Sequence, residues 1–148
     1  MEFSPTPGAG NYGHNEHTDI GTLTLLFNNQ WGLQVNCGDS YKYVRPSERH
    51  AIVNVGDCLR FMSGNKLKSV LHRVAPPALT HPRSSFGYFL RPDDSAIINT
   101  PDGTQISAQG WVGKKYVIHQ SSLATADEED MLTGWMEKPE RRPAVVAP

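Results

Sequence analysis

The sequence is poor in cysteine, has no long hydrophobic run and carries almost no excess of charge. Its two cysteines, Cys37 and Cys58, lack CxxC spacing, which argues against a disulfide-rich scaffold and predicts reduced thiols in the cytoplasm. The longest apolar run near the middle, Leu25 to Phe27, is far shorter than the roughly 20 residues of a membrane-spanning helix. No basic stretch followed by an apolar run opens the chain, so no secretory signal is expected.

The net charge limits the kinds of partner that are expected, and the length limits the number of domains. The formal net charge is −1, and acidic and basic residues are spread along the chain, so we expect neither a nucleic-acid partner nor an anionic membrane. A length of 148 residues predicts one domain with a single modest core. A small-molecule partner is compatible with both observations.

Two histidines and an aspartate suggest a metal site. In an extended strand, side chains two residues apart leave the same face, so His17 and Asp19 can present an imidazole and a carboxylate to one point. His72 lies at the end of a run of strand signals and would supply the third ligand. Two histidines and one carboxylate on one side of iron(II) leave the other positions open, as in non-haem iron oxygenases. Taken alone, His72 would be better explained as a core histidine.

Arg83 and Ser85 repeat the two-residue spacing. Arg83 offers a planar fork of donors that matches a carboxylate, and Ser85 adds a hydroxyl on the same face. Taken alone, Arg83 would be an ordinary surface cation. A metal site beside a carboxylate-binding pair is what a keto-diacid cosubstrate requires.

Five further blocks follow His17-Thr-Asp19 in order, and together they carry a family resemblance. They are Gly21-Thr-Leu-Thr-Leu-Leu26, Gly32-Leu-Gln-Val35, Asn54-Val-Gly-Asp57, Lys68-Ser-Val-Leu-His-Arg-Val74 and Arg83-Ser-Ser85. From about His17 to Pro92 the chain resembles the iron(II)/2-oxoglutarate-dependent dioxygenases of the isopenicillin N synthase type.

The resemblance implies a mainly β fold, a double-stranded β-helix or jelly roll. It also implies iron(II) bound by His17, Asp19 and His72, with 2-oxoglutarate held by Arg83 and Ser85. Dioxygen would be the second cosubstrate, and ascorbate would serve as an activator in vitro. The implied reaction couples decarboxylation of 2-oxoglutarate to succinate and CO2 with hydroxylation, desaturation or cyclisation of a small organic substrate, by default one of secondary metabolism.

The chain departs from this family at its start. Members carry a substantial region before the HxD motif, which completes the jelly roll and gives a tyrosine or asparagine to the cosubstrate pocket, whereas only sixteen residues precede His17. Phe3 or Ser4 stands where that tyrosine would be. We therefore expect a jelly roll that is incomplete at its N-terminus, with strand edges that could pair with another chain. The sequence leaves the oligomeric state open.

The predicted organisation has four parts: a flexible lead-in at 1–16, a jelly-roll domain at 17–120, a C-terminal helical segment at 121–138 and a tail at 139–148. His14, in the lead-in, is interpreted as a solvated histidine rather than a ligand. Alternation and turn signals predict strands at 22–27, 31–35, 41–44, 51–55, 68–74, 85–90 and 97–98. The aromatic residues of the strands between 22 and 44 are expected in the core.

Two helical features and one irregular stretch complete the prediction. Asp57 is the expected N-cap of a helical turn over 58–63. A capping box at Thr125 and Glu128 predicts a helix over about 126–137 with an apolar stripe. Glycines at 103, 110 and 113 predict that the segment around them is irregular.

Two other functions are compatible with the motifs. A non-catalytic, metal-binding remnant of an oxygenase would explain the short lead-in, although unpaired polar side chains facing an apolar interior would then be costly. A structural zinc site is less well supported, because such sites prefer four ligands including cysteine, and neither cysteine lies at ligand spacing from the histidines.

Overall fold

A computed structural model of the chain describes residues 2–3, 14–75, 83–120 and 125–136. This part of the chain contains ten strands and three helices. In chain order they are β1 (Glu2–Phe3), β2 (His14–His17), β3 (Leu23–Asn28), β4 (Leu33–Asn36), β5 (Tyr41–Tyr43), β6 (Ile52–Val55), α1 (Asp57–Met62), β7 (His72–Val74), β8 (Arg83–Phe89), β9 (Ile97–Asn99), β10 (Gln105–Ser107), α2 (Ala108–Gln120) and α3 (Ala126–Leu132).

The strands form two four-stranded sheets and a two-stranded ribbon. The orders are β1-β8-β3-β6 in one sheet and β2-β7-β4-β5 in the other, while β9 pairs with β10. All of these pairings are antiparallel. The expected mainly β class is confirmed, and the sheets bring strands that are distant in sequence side by side. No described helix is long and apolar enough to cross a membrane.

Two strands near the predicted metal ligands differ in their bounds from the prediction. Strand β1 and the first three residues of β2 lie within the lead-in expected at 1–16, so the predicted loop does not extend over those residues. The strand predicted over 68–74 is confined to His72–Val74, because the residues before it turn toward α1, where the Ser69 hydroxyl bonds Asp57. The loop predicted after His72 lies largely at 76–82, outside the described residues.

The hydrophobic core does not contain the strand aromatic residues that were expected in it. Phe27, Trp31 and Tyr43 are each more than two-fifths exposed, so the prediction that they are core residues is wrong. The buried apolar cluster instead comprises residues of α1, β9 and α2: Cys58, Phe61, Ile98, Ala108 and Trp111. Here β9 and two helices supply the apolar faces, while Val53, Phe86 and Tyr88 of the sheet β1-β8-β3-β6 remain exposed.

A long helix replaces the predicted irregular segment. Helix α2 runs through Gly110 and Gly113, so the prediction from these glycines is wrong. Its buried residues recur at helical spacing: Ala108, Trp111, Lys115 and Ile118. A lysine within this stripe hides the apolar pattern in the sequence, and its burial is explained by a charge partner described below.

The other two helices differ from expectation at their ends. Gly56 is the N-cap of α1 and Asp57 is its first residue, so the cap assigned to Asp57 is wrong. At α3 the capping box of Thr125 and Glu128 is present as predicted. The helix ends at Leu132, before the end predicted for it, because the left-handed backbone at Gly134 and Trp135 cannot continue a helix.

Candidate metal centre

His17 and His72 face each other across two neighbouring strands. They are register partners in the pairing of β2 with β7, and their ring centroids lie 4.4 Å apart. Asp19 follows β2 in a stretch without regular structure, so it reaches the histidines from a loop rather than along the strand that the sequence suggested. Its Oδ1 lies 3.8 Å from Nε2 of His17 and 3.5 Å from Nε2 of His72.

These three residues have the geometry of a metal site. One ligand atom from each can be chosen so that all three lie within 4.8 Å of one another, and no other such group of His, Cys, Asp or Glu occurs among the described residues. Neither cysteine belongs to the group, although both are free thiols. The side chain of His14 lies outside the described residues, so its solvated role stays a prediction.

Backbone carbonyls fix the orientation of both imidazoles. Nδ1 of His17 lies 2.7 Å from the carbonyl oxygen of Asn15, and Nδ1 of His72 lies 3.1 Å from that of Val70. A ring nitrogen that donates to a carbonyl carries the proton, so a neutral imidazole then presents a lone pair at Nε2. Both Nε2 atoms are the ones nearest Asp19, which is the arrangement that a metal ligand requires.

Asp19 is kept ionised by its surroundings. Burial alone would raise its pKa, but His72, a hydrogen bond with Thr24 and further contacts with His17 and Asn54 hold the pKa below its ordinary value. Asn54 donates from Nδ2 to Oδ2 of Asp19 at 2.7 Å. The other carboxylate oxygen, Oδ1, faces the histidines. A divalent cation would therefore meet a charged ligand that is already oriented.

A buried ion pair lies directly behind the loop between the ligands. Lys115 of α2 contacts Oδ2 of Asp57 at 2.5 Å, and its ammonium also donates to the Thr18 hydroxyl at 2.7 Å. The hydroxyl of Thr18 donates to Asp57 at 2.8 Å, and Ser69 donates to the other oxygen at 3.1 Å. Burial lowers the pKa of Lys115, whereas Asp57 raises it.

A third imidazole approaches the centre from α2. The His119 ring lies 5.0 Å from that of His17 in an edge-on arrangement. Burial and the nearby Lys115 ammonium lower the pKa of His119 below its ordinary value. Sequence reasoning missed both Lys115 and His119 because it missed the helix that carries them. The helical spacing of Trp111, Lys115 and Ile118 is the signal that could have found it.

Arg83 and Ser85 lie on the inward face of β8. Along this strand the side chains at 83 and 85 are buried or half-buried, while Ser84 and Phe86 are exposed. Arg83 is only 2% exposed, and its Nε has no hydrogen-bond partner within the described part of the chain. Burial lowers the pKa of this guanidinium. No described carboxylate pairs with Arg83, so an anionic ligand would satisfy a buried donor, Nε, that the described residues leave without a partner.

The turn after β3 packs against this guanidinium. A Cβ atom on Gly32 would lie 2.7 Å from Nε of Arg83 and 3.3 Å from its Cζ. Gly32 also has a φ of 151°, which side chains rarely adopt. The absence of a side chain at Gly32 thus lets the backbone enclose Arg83. This buried cradle fits a carboxylate such as the distal one of 2-oxoglutarate.

Comparison with known families gives the same assignment as the geometry. The model of the 2OG-Fe(II) oxygenase superfamily matches residues 1–92, more than half of the chain. The chain belongs to this superfamily. As the superfamily name indicates, its members use iron(II), 2-oxoglutarate and dioxygen. The narrower isopenicillin N synthase type is consistent with the match but stays a prediction.

Two curated fungal relatives are named a 2-oxoglutarate-dependent dioxygenase and an oxidoreductase. The 2-oxoglutarate-dependent dioxygenase iboH of Amanita muscaria (strain Koide BX008) is 46% identical over 133 residues, covering 85% of this chain and 65% of that protein. The oxidoreductase vrtI of Penicillium aethiopicum is 44% identical over 137 residues, covering 90% of this chain and 33% of that protein. The chain therefore spans only about one to two thirds of the length of these two relatives.

Solved structures confirm the jelly-roll fold. A full-length Neurospora crassa protein in complex with alpha-KG superposes with a TM-score of 0.64 at 29% identity, covering 74% of this chain and 39% of that one. JOX2 in complex with 2OG, Fe and JA also gives 0.64, at 24% identity, and covers 82% of this chain and 39% of that one. The superfamily membership and the double-stranded β-helix are thus supported by both sequence and fold.

Proposed function

We propose that this chain carries the catalytic centre of an iron(II)- and 2-oxoglutarate-dependent oxygenase. His17, Asp19 and His72 would hold iron(II), and Arg83 and Ser85 would hold the distal carboxylate of 2-oxoglutarate. The observation that carries the proposal is the approach of three ligand atoms to within 4.8 Å of one another. The buried Nε of Arg83, which has no hydrogen-bond partner among the described residues, supports it independently.

The bound iron and 2-oxoglutarate would supply the oxidising chemistry, in which dioxygen is reduced and 2-oxoglutarate yields succinate and CO2. The residues of the chain position these groups. Asp19 neutralises part of the cation charge and is held by Asn54 and Thr24. The carbonyls of Asn15 and Val70 keep Nε2 of each histidine available to the cation. Arg83 and Ser85 would fix the cosubstrate at the end remote from the metal.

The proposal also covers the class of substrate, the kind of metabolism and the cellular location. A small organic molecule is the proposed substrate, undergoing hydroxylation, desaturation or cyclisation. Solved relatives support this size class, since the N. crassa protein was crystallised with thymine and JOX2 with JA. Secondary metabolism is proposed from the family resemblance. A cytoplasmic location is supported by two free thiols, and ascorbate is proposed as the activator in vitro.

A second candidate is a metal-binding domain without turnover. It requires only the three candidate metal ligands, and the chain covers 65% of one curated relative and 33% of another. The same metal ligands would then be present without a complete substrate pocket. Binding and turnover must therefore be measured separately.

The test uses the full 148-residue chain. Mn(II) binding is measured by electron paramagnetic resonance, and succinate release from 2-oxoglutarate is measured with iron(II), ascorbate and dioxygen. Both signals should be present in the unaltered chain and lost in His72→Ala. His50→Ala, which changes an exposed histidine, should leave both unchanged. Mn(II) binding without succinate release would favour the second candidate, and absence of metal binding would contradict both.

A further inference from the structure

We propose that Asn28 is a third donor to the distal carboxylate of 2-oxoglutarate, beside Arg83 and Ser85. This inference rests on the proposed function, because it concerns the same cosubstrate. It adds a residue of β3 to a clamp that the sequence placed wholly on β8.

The register of the sheet places Asn28 beside the clamp. Asn28 is the partner of Ser85 where β3 pairs with β8. Directly opposed residues in an antiparallel pair project to the same face, with Cβ atoms roughly 5 Å apart. Arg83 lies two residues from Ser85 on the same inward face, and such diagonal neighbours are within reach of long side chains.

The same face of β3 also leads to the metal centre. Side chains alternate along a strand, so Thr24, Leu26 and Asn28 share one side of β3. Thr24 hydrogen-bonds the Asp19 carboxylate at one end of this row. Asn28 stands at the other end, beside Ser85. The row therefore runs from the proposed iron ligands to the proposed carboxylate clamp, as a cosubstrate bridging the two would require.

Asn28 has a donor that the described residues leave unsatisfied. Its Nδ2 is buried and has no hydrogen-bond partner, as is also true of Nε of Arg83. A buried amide nitrogen without a partner is costly, and two such donors on neighbouring strands point to a common acceptor. The contact between Gly32 and Arg83 shows that the turn following Asn28 folds over the guanidinium.

The chemistry of a carboxylate fits this set of donors. Two carboxylate oxygens offer about four lone-pair sites, of which a bidentate arginine and one hydroxyl would use three. A neutral amide can fill the remaining site without adding charge. One guanidinium then balances one carboxylate, and Nε of Arg83 and Nδ2 of Asn28 both gain an acceptor.

The test measures binding of 2-oxoglutarate to the Mn(II)-loaded full chain by calorimetry. Asn28→Leu keeps the approximate size but removes the donor, so affinity should fall by about tenfold to one-hundredfold. Asn28→Asp places a negative charge against the ligand and should weaken binding further. Asn29→Leu, at the exposed neighbouring position, is the matched control and should bind normally. Mn(II) affinity should be unchanged in all three variants.

A ligand without the distal carboxylate tests the assigned contact. Binding of 2-oxobutyrate, measured in the same way or by competition, should be equally strong in the unaltered chain and in Asn28→Leu. If Asn28→Leu weakens 2-oxobutyrate as much as 2-oxoglutarate, the amide does not act on the distal carboxylate and the inference is wrong. Circular dichroism spectra and melting curves show whether each variant is folded. If Asn28→Leu does not fold, Asn28→Ala is used in its place.

Arg83→Gln separates failure of this inference from failure of the proposed function. If 2-oxoglutarate binding depends on Arg83 but not on Asn28, only the inference is overturned. If the unaltered chain binds Mn(II) but not 2-oxoglutarate, the proposed function fails and the inference fails with it. Selective loss of 2-oxoglutarate binding in both Arg83→Gln and Asn28→Leu supports the two together.

Discussion

Asn54 donates a hydrogen bond of 2.7 Å to Oδ2 of Asp19, while Oδ1 of the same carboxylate faces the two candidate histidine ligands. The contact is a consequence of the sheet. Asn54 on β6 is the register partner of Thr24 on β3, and both residues hydrogen-bond Asp19. A carboxylate on an irregular stretch is thus held by two side chains of regular strands.

Replacing Asn54 should weaken metal binding while leaving all three ligands in place. Residues that orient a metal ligand typically contribute about 10- to 100-fold to affinity, so Asn54→Ala should raise the Kd for Mn(II) by roughly that factor. The measurement is a titration followed by electron paramagnetic resonance. Asn99→Ala, at an exposed position on β9, is the control. Unchanged Mn(II) affinity in Asn54→Ala would show that Asp19 needs no such support.

The ion pair of Lys115 and Asp57 should dominate the stability of the region behind the site. Both side chains are fully buried, and Lys115→Met would leave the carboxylate without its cation. Breaking a buried pair in this way costs about 3–5 kcal/mol, so urea unfolding at pH 7 should show a loss of that size. Lys114→Met, at an exposed position, should have little effect.

The double variant Asp57→Asn with Lys115→Met identifies the cause of that loss. It removes both charges, so no uncompensated charge is buried, and we expect it to be more stable than Lys115→Met alone. A double variant as unstable as the single one would mean that packing of the lysine, rather than its charge, stabilises the fold.

The candidate site residues that could be proposed from the sequence are those encoded as ordered motifs. The spacing of His17 and Asp19, the strand signals before His72 and the offset of Arg83 and Ser85 each follow from local pattern. Their convergence required the cross-strand pairing of β2 with β7, which no local pattern specifies. The family resemblance supplied that step, and the structure brings the three candidate ligands together.

The residues that support the candidate metal ligands could not be predicted from local sequence patterns. Thr18 and Asn54 act through contacts with partners distant in sequence, at separations of 39 and 35 residues. Helix α2 was missed because Lys115 occupies a core position that pattern analysis reserves for apolar residues. The burial of Lys115 is explained by its ion pair with Asp57, which the sequence pattern does not reveal.

Gly32→Ala should damage the carboxylate cradle without touching the metal ligands. The added methyl group would lie 2.7 Å from Nε of Arg83, and φ of 151° disfavours any side chain, so the guanidinium must move. We expect weaker binding of 2-oxoglutarate, unchanged Mn(II) binding and a lower melting temperature. Gly113→Ala adds a methyl group within α2, where it meets open space, and should stabilise by about 0.5–1 kcal/mol. Normal 2-oxoglutarate affinity in Gly32→Ala would contradict the cradle.

Cys58 gives the fold a specific dependence on alkaline pH. Burial, followed by the adjacent Asp57 carboxylate, raises the pKa of this thiol from 9.0 to about 12. Well below pH 9 the thiol is protonated in both the folded and the unfolded chain, so it contributes no pH dependence there. Between pH 9 and 12 the unfolded chain ionises while the folded chain does not, so the free energy of unfolding falls as the pH rises.

Cys58→Ala should remove this component of the alkaline loss of stability. Linkage predicts that from about pH 8 to about pH 10.5 the unaltered chain loses about 2 kcal/mol more than the variant, because only its unfolded state gains a thiolate. Urea unfolding at both pH values measures the difference, and the comparison cancels the titration of lysines and tyrosines common to both chains. Cys37→Ala, at an exposed cysteine, should show no such divergence from the unaltered chain. Parallel pH profiles for Cys58→Ala and the unaltered chain would mean that the buried thiol ionises as readily in the folded state as in the unfolded one.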